Sequence, residues 1–130
     1  MRVLVDGVGN EAAACGIGTP AIQALAERSL KSHGIQVSQD ARDPYLYLHV
    51  NAYRVMQGGD IVGCTTRIGV SVRARVSADA ALRGLKPKGE TYVVACESGR
   101  LLSGAVREMA GAVAKGFEQD IKTCLSQLSY

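Results

Sequence analysis

The chain has 130 residues, 47% of them hydrophobic, and carries fifteen basic against twelve acidic side chains for a net charge of +3. That composition can bury a real core and argues against disorder, and the length fits one domain spanning 1–130. The charge is too mild to imply nucleic acid by itself, and no stretch approaches the roughly 18 apolar residues of a membrane helix.

Met1-Arg2 leads straight into Val3-Leu4-Val5, which reads as a strand rather than a leader. The strand extends to Val8, and Gly7, Gly9, Gly16 and Gly18 then mark a loop. Thr19-Pro20 starts a helix, with Thr as the cap and Pro in the first turn. Ile22, Leu25, Ala26 and Leu30 follow at helical spacing, and Gly34 closes the helix. Ile35 to Ser38 reads as a second strand, and Asp40 to Pro44 as a turn.

From Tyr45 to Val55 the chain alternates strictly. Leu46, Leu48, Val50 and Ala52 point one way, and Tyr45, Tyr47, His49, Asn51 and Tyr53 the other. Such period-two patterning is a half-buried strand. Gly58-Gly59-Asp60 is a hairpin signal. Ile61 to Ala78 is the next strand, with Ile68, Val70, Val72, Ala74 and Val76 on one face and Arg67, Gly69, Ser71, Arg73 and Arg75 on the other. Leu82 to Glu90 is mostly loop. Thr91 to Glu97 reads as a last strand, broken by Ser98-Gly99. A helix runs from about Ser103 on the stripe Val106, Met109, Ala110, Val113, Phe117, Ile121, Cys124, Leu125 and Leu128.

The fold class is therefore α+β: a two-layer α/β sandwich in the order β-α-β-β-β-β-α. A parallel β-α-β unit leads into an antiparallel meander, and both helices lie on the face of Leu46, Leu48, Val50, Ile68, Val70 and Val72.

Four cysteines form no C-x-x-C pair, which excludes a zinc ribbon or thioredoxin motif; they are either small buried hydrophobes or disulfides. In the order above, Cys15 falls near the end of the sheet where the first strand finishes. Cys64 falls near the opposite end, and Cys124 near the same end as Cys15. Bridged Cα atoms come within about 7 Å. Cys15–Cys64 is then hard to close and Cys15–Cys124 easier, and the pairing among Cys15, Cys64 and Cys124 stays open.

Chemistry is sparse. His33 falls at a helix end, where capping is its natural role. His49 lies on the open face, away from the parity of Cys64, so a Cys–His dyad is not expected, and an enzyme centred on His49 is the weakest alternative. The carboxylates are scattered, with Glu108, Glu118 and Asp120 placed on the wet side of the last helix. No metal site is expected with two histidines. Gly7-Val8-Gly9 lacks the third glycine of a dinucleotide loop and the Lys of a phosphate loop. No catalytic residue and no cofactor are therefore expected.

The open face is the most specific hint. Tyr45, Tyr47, His49 and Tyr53 on one strand face Arg67, Arg73 and Arg75 on the next. Tyrosine and arginine are enriched in protein interfaces, and a face of this kind marks a protein partner or a homodimer, with strand addition at an open sheet edge as a second available mode. Single-stranded nucleic acid, stacked on the same residues, is the alternative. A solvated face with no specific role is the blandest reading.

Ala14-Cys15-Gly16-Ile17, the helix ending Leu30-Lys31-Ser32-His33-Gly34-Ile35-Gln36-Val37, and Pro44-Tyr45-Leu46-Tyr47-Leu48-His49-Val50-Asn51 together resemble a group of small uncharacterised bacterial proteins exported with an amino-terminal leader. The element order is also similar to the TolB amino-terminal domain and the lipopolysaccharide-assembly lipoprotein. Both likenesses imply a periplasmic, non-enzymatic accessory module, with a cytoplasmic location as the alternative.

Overall fold

The computed structural model describes residues 1–40, 44–75 and 92–128. The elements are β1 (Arg2–Asp6), α1 (Asn10–Ala14), α2 (Thr19–Ser32), β2 (Tyr45–Gln57), β3 (Asp60–Arg75), β4 (Tyr92–Gly104) and α3 (Val106–Gln127). They build an α+β sandwich on a four-stranded sheet of order β1-β2-β3-β4. β1 runs parallel to β2, and β2, β3 and β4 form the antiparallel meander. The loop expected at Leu82 to Glu90, and the end of the strand expected to reach Ala78, lie outside the described residues.

Strict alternation builds the core. Leu46, Leu48, Val50, Ile68, Val70 and Val72 are all buried on the face that also receives Leu25 and Leu30 of α2 and Phe117, Ile121 and Leu125 of α3. The sheet is thus apolar toward its helices and polar on its other side.

Local chemistry sets the turns. Gln57 and Asp60 pair across a two-residue loop in which Gly58 and Gly59 both have positive φ, as a type I′ hairpin requires. At Gly7 a Cβ would lie 2.0 Å from the Val50 carbonyl oxygen, so only glycine lets the chain leave β1 against β2. At the end of α2, the Ile35 amide donates to the Leu30 carbonyl at 2.9 Å and His33 Nδ1 lies 2.8 Å from the Ser29 carbonyl. His33 is therefore a helix-end residue, as its position suggested. α2 itself starts one residue earlier than expected: Gly18 is the cap, and Thr19 is already helical.

Three differences from the sequence reading matter. First, Ile35 to Ser38 is not a strand. It is extended, with Ile35 and Val37 packed on the core, but its backbone joins no ladder: the Ile35 amide closes α2 on Leu30, the Met1 ammonium donates to the Gln36 carbonyl and the Ser38 amide to the Met1 carbonyl, the last two at 2.8 Å. β2 takes the place beside β1 instead. Second, Ser98-Gly99 does not end the last strand. Gly99 pairs with Gly69, and a Cβ there would meet the Ile68 carbonyl oxygen at 2.8 Å, so the glycine serves strand packing and β4 continues to Gly104. Third, Asp120 is not on the wet side of α3. It is buried, and it accepts from Arg100 Nη2 at 2.7 Å, Arg100 Nε at 3.1 Å and Ser98 Oγ at 3.1 Å.

The first difference inverts the cysteine geometry. With one strand fewer, β2 runs in the direction of β1, so the β2–β3 hairpin lies at the end where β1 finishes. Cys64, two residues past the hairpin's exposed Val62, is then close to Cys15. The two are bridged, with Cα atoms 6.2 Å apart. α3 correspondingly runs the other way, which takes Cys124 from the Cys15 end to the far end. There it bridges Cys96 of β4, with Cα atoms 5.2 Å apart. No cysteine is free.

Candidate interaction face

The open side of the sheet is assembled from one residue in two along each strand. β1 supplies Leu4 and Asp6, β2 Tyr45, Tyr47, His49, Asn51 and Tyr53, β3 Arg67, Gly69, Ser71 and Arg73, and β4 Glu97, Gly99 and Leu101. Register alone makes them neighbours: Tyr47 opposes Ser71, His49 opposes Gly69, and Asn51 opposes Arg67.

The centre of this face is ordered by contacts among its own side chains. The Tyr47 hydroxyl donates to Asp6 Oδ2 at 2.6 Å. The Arg73 guanidinium lies over the Tyr47 ring at 4.1 Å and donates from Nε to Ser71 Oγ at 3.1 Å. His49 stacks beside Tyr47, with ring centroids 6.4 Å apart and planes 19° from parallel. Arg2 covers the Tyr45 ring at 5.3 Å. The Tyr47 hydrogen bond, with help from the Gly7 amide at 2.8 Å, holds the Asp6 carboxyl below its ordinary value. The same bond and partial burial hold the Tyr47 phenol above its own.

The periphery is freer. Tyr53, Asn51 and Arg67 are exposed, and Leu101 is 68% exposed beside Arg67. Between His49, Arg67, Arg73 and Glu97 the surface dips over Gly69, whose missing side chain leaves open space. Arg75 ends β3 in register with Tyr92, and its side chain lies outside the described residues. Three of the residues singled out from sequence, Tyr47, His49 and Arg73, thus form one contact network, and Tyr45 packs under Arg2 beside it. Tyr53 and Arg67 share their face without joining it. Asp6, Leu4, Glu97 and Leu101 were missed. Their parity was visible, but β1 and β4 could not be placed beside β2 and β3 without the strand order.

No Cys–His dyad forms at His49, because all four cysteines are bridged. Among the described residues no three His, Cys, Asp or Glu side chains converge as metal ligands.

One end of the molecule is clamped by a second ion pair. Glu11 of α1 accepts from Arg54 Nε at 3.0 Å, Arg54 Nη2 at 2.9 Å and the Arg54 amide at 3.1 Å. The carboxylate thereby occupies a backbone donor where β2 has run past the end of β1, an edge that would otherwise invite another strand. The Arg54 side chain and amide lower the Glu11 carboxyl below its ordinary value. No described helix is long and apolar enough to cross a membrane.

No protein-family model matches the chain, and no characterised protein matches it in sequence. Among solved structures it is similar to the rare lipoprotein B of Shewanella oneidensis, at 14% identity over 99% of this chain and 94% of that one, with a TM-score of 0.43. It is also similar to a minor lipoprotein of Acinetobacter baumannii, at 13% identity over 98% of this chain and 86% of that one, with a TM-score of 0.34. At such scores neither likeness carries an argument about residues, location or activity.

Proposed function

We propose that this domain is a non-enzymatic, exported accessory module that binds another protein, or a second copy of itself, through the open face of its sheet. The observation that carries the reading is the ordered Tyr/Arg face. Tyr47 is fixed by Asp6 and Arg73 before any partner arrives, so little side-chain entropy remains to be lost on binding. Around it, Tyr53 and Arg67 offer exposed aromatic and basic contacts of the kind that dominate interfaces, and Leu101 adds exposed apolar surface. Export is supported by the two buried disulfides, which form and persist in oxidising compartments. Protein is favoured over single-stranded nucleic acid because one face of the Tyr47 ring is already covered by Arg73, which removes the central stacking platform.

Arg67→Glu and Tyr53→Asp alter exposed side chains and leave the core untouched. Each is expected to weaken the complex, read as loss of a partner protein that co-purifies with wild type. Binding that survives both substitutions would contradict the proposal. So would tight binding of an oligothymidylate whose affinity falls steeply with salt.

A further inference from the structure

The β2–β3 hairpin outruns the rest of the sheet. β1 pairs with β2 only as far as His49, and β4 pairs with β3 only from Cys64. Beyond these points the two strands project as a bare ribbon roughly 10 Å long, at about 3.3 Å per residue. Its tip is apolar on both sides: Val55, Met56, Ile61 and Val62 are 44%, 52%, 41% and 51% exposed. Met56 and Ile61 pair across the ribbon, yet about half of each of the four side chains stays exposed, more than two strands alone can cover.

At the same end of the molecule lies a hole. Ile17, with Ala21 and Leu25 of α2 and Ala110, Ala114 and Phe117 of α3, lines an apolar cavity of about 50 Å³. That is space for about four water-sized atoms, the size of a Met or Ile side chain. The Cys15–Cys64 bridge fixes knob and hole together. Cys64 is two residues from Val62, and Cys15 adjoins Gly16 on the cavity rim.

We infer that the hairpin tip is a self-association knob: in a two-fold dimer each copy inserts it into the cavity between α2 and α3 of the other. A closed, reciprocal arrangement of this sort needs both complementary features on one surface, and both are present at this end. Charge argues for a second copy over a lipid surface. The cation at the ribbon base, Arg54, is held by Glu11 at 2.9 Å, and Asp60 stands at the tip. A ribbon that inserts among anionic headgroups needs free basic flanks and no acid at its leading end. The surface shares no residue with Arg67, Tyr47 or His49, so the inference stands or falls apart from the sheet-face reading.

Sedimentation equilibrium over a wide concentration range tests it. Wild type is expected to dimerise. Met56→Asp in the knob and Ala110→Glu at the exposed rim of the hole should each raise the dissociation constant about tenfold or more, the effect of losing a buried interface anchor. Circular dichroism should be unchanged, because both positions are exposed. Mixing the two variants should recover part of the association, since the mixed dimer keeps one intact knob in one intact hole. Arg67→Glu should leave this dimer alone. A wild-type protein that stays monomeric throughout, or a dimer indifferent to both Met56→Asp and Ala110→Glu, would overturn the inference.

Discussion

Reducing the two disulfides is expected to bring the domain close to unfolding at ambient temperature. Cys15–Cys64 closes a chain separation of 49 residues and Cys96–Cys124 one of 28. By the chain-entropy relation each restricts the unfolded state enough to stabilise the fold by about 4 kcal/mol. The two loops do not share an element: one ties the α1–α2 connection to β3, the other β4 to α3. Their contributions should therefore come near to adding. The sum, about 7 to 8 kcal/mol, rivals the total stability of an ordinary domain, about 5 to 15 kcal/mol. Urea titration with and without a strong reductant should show a large drop in midpoint. An unchanged midpoint would mean the bridges are incidental to folding. The same bridges bear on location: protein taken from cells under acid and then alkylated should carry no blocked thiol, whereas four alkylated cysteines would contradict export.

Arg100→Met is expected to be the most damaging single substitution outside the cysteines, costing about 3 to 5 kcal/mol. The Asp120 side chain is only 3% exposed, and Arg100 meets it with two N–H donors in a bidentate pair. Methionine keeps most of the apolar stem that packs beside Gly116 and removes the charge. The carboxylate would then be left in the core with Ser98 alone. The loss belongs to the unpaired charge and not to the pair as such. Arg100→Met combined with Asp120→Leu should therefore recover most of it. Equal stability of the single and double variants in urea titration would show that the cost lies in packing instead.

Much of this architecture was legible from residues. The alternation of Tyr45 to Val55 marked the half-buried strand, its apolar face and its open face, because parity follows from the pleat alone. The helices at Thr19 and near Ser103 were legible from apolar spacing, and the hairpin from Gly58-Gly59. What failed was neighbour choice. Ile35 and Val37 do alternate and do pack on the core, but alternation cannot say which segment wins the place beside β1. One strand too many reversed the vertical sense of everything after it, and the disulfide geometry went with it. Asp120 was misplaced because its charge outweighed its position. It lies three residues after Phe117 and four before Cys124, within the buried stripe, and that spacing was the available signal. The side chains of Tyr47 and Arg73 were placed on one face from sequence. Their joining through Asp6 and Ser71 depended on strand order and on distances that no pattern encodes.

The claim that the sheet's open side is the contact surface is tested most directly by photo-crosslinking in living cells. A photoreactive residue at Arg67 or Asn51 on the open face, and another at Lys122 on the exposed side of α3, sample opposite sides of the molecule. Discrete adducts are expected from the first two positions and none from Lys122. Adducts confined to Lys122, or none from either open-face position, would contradict that claim.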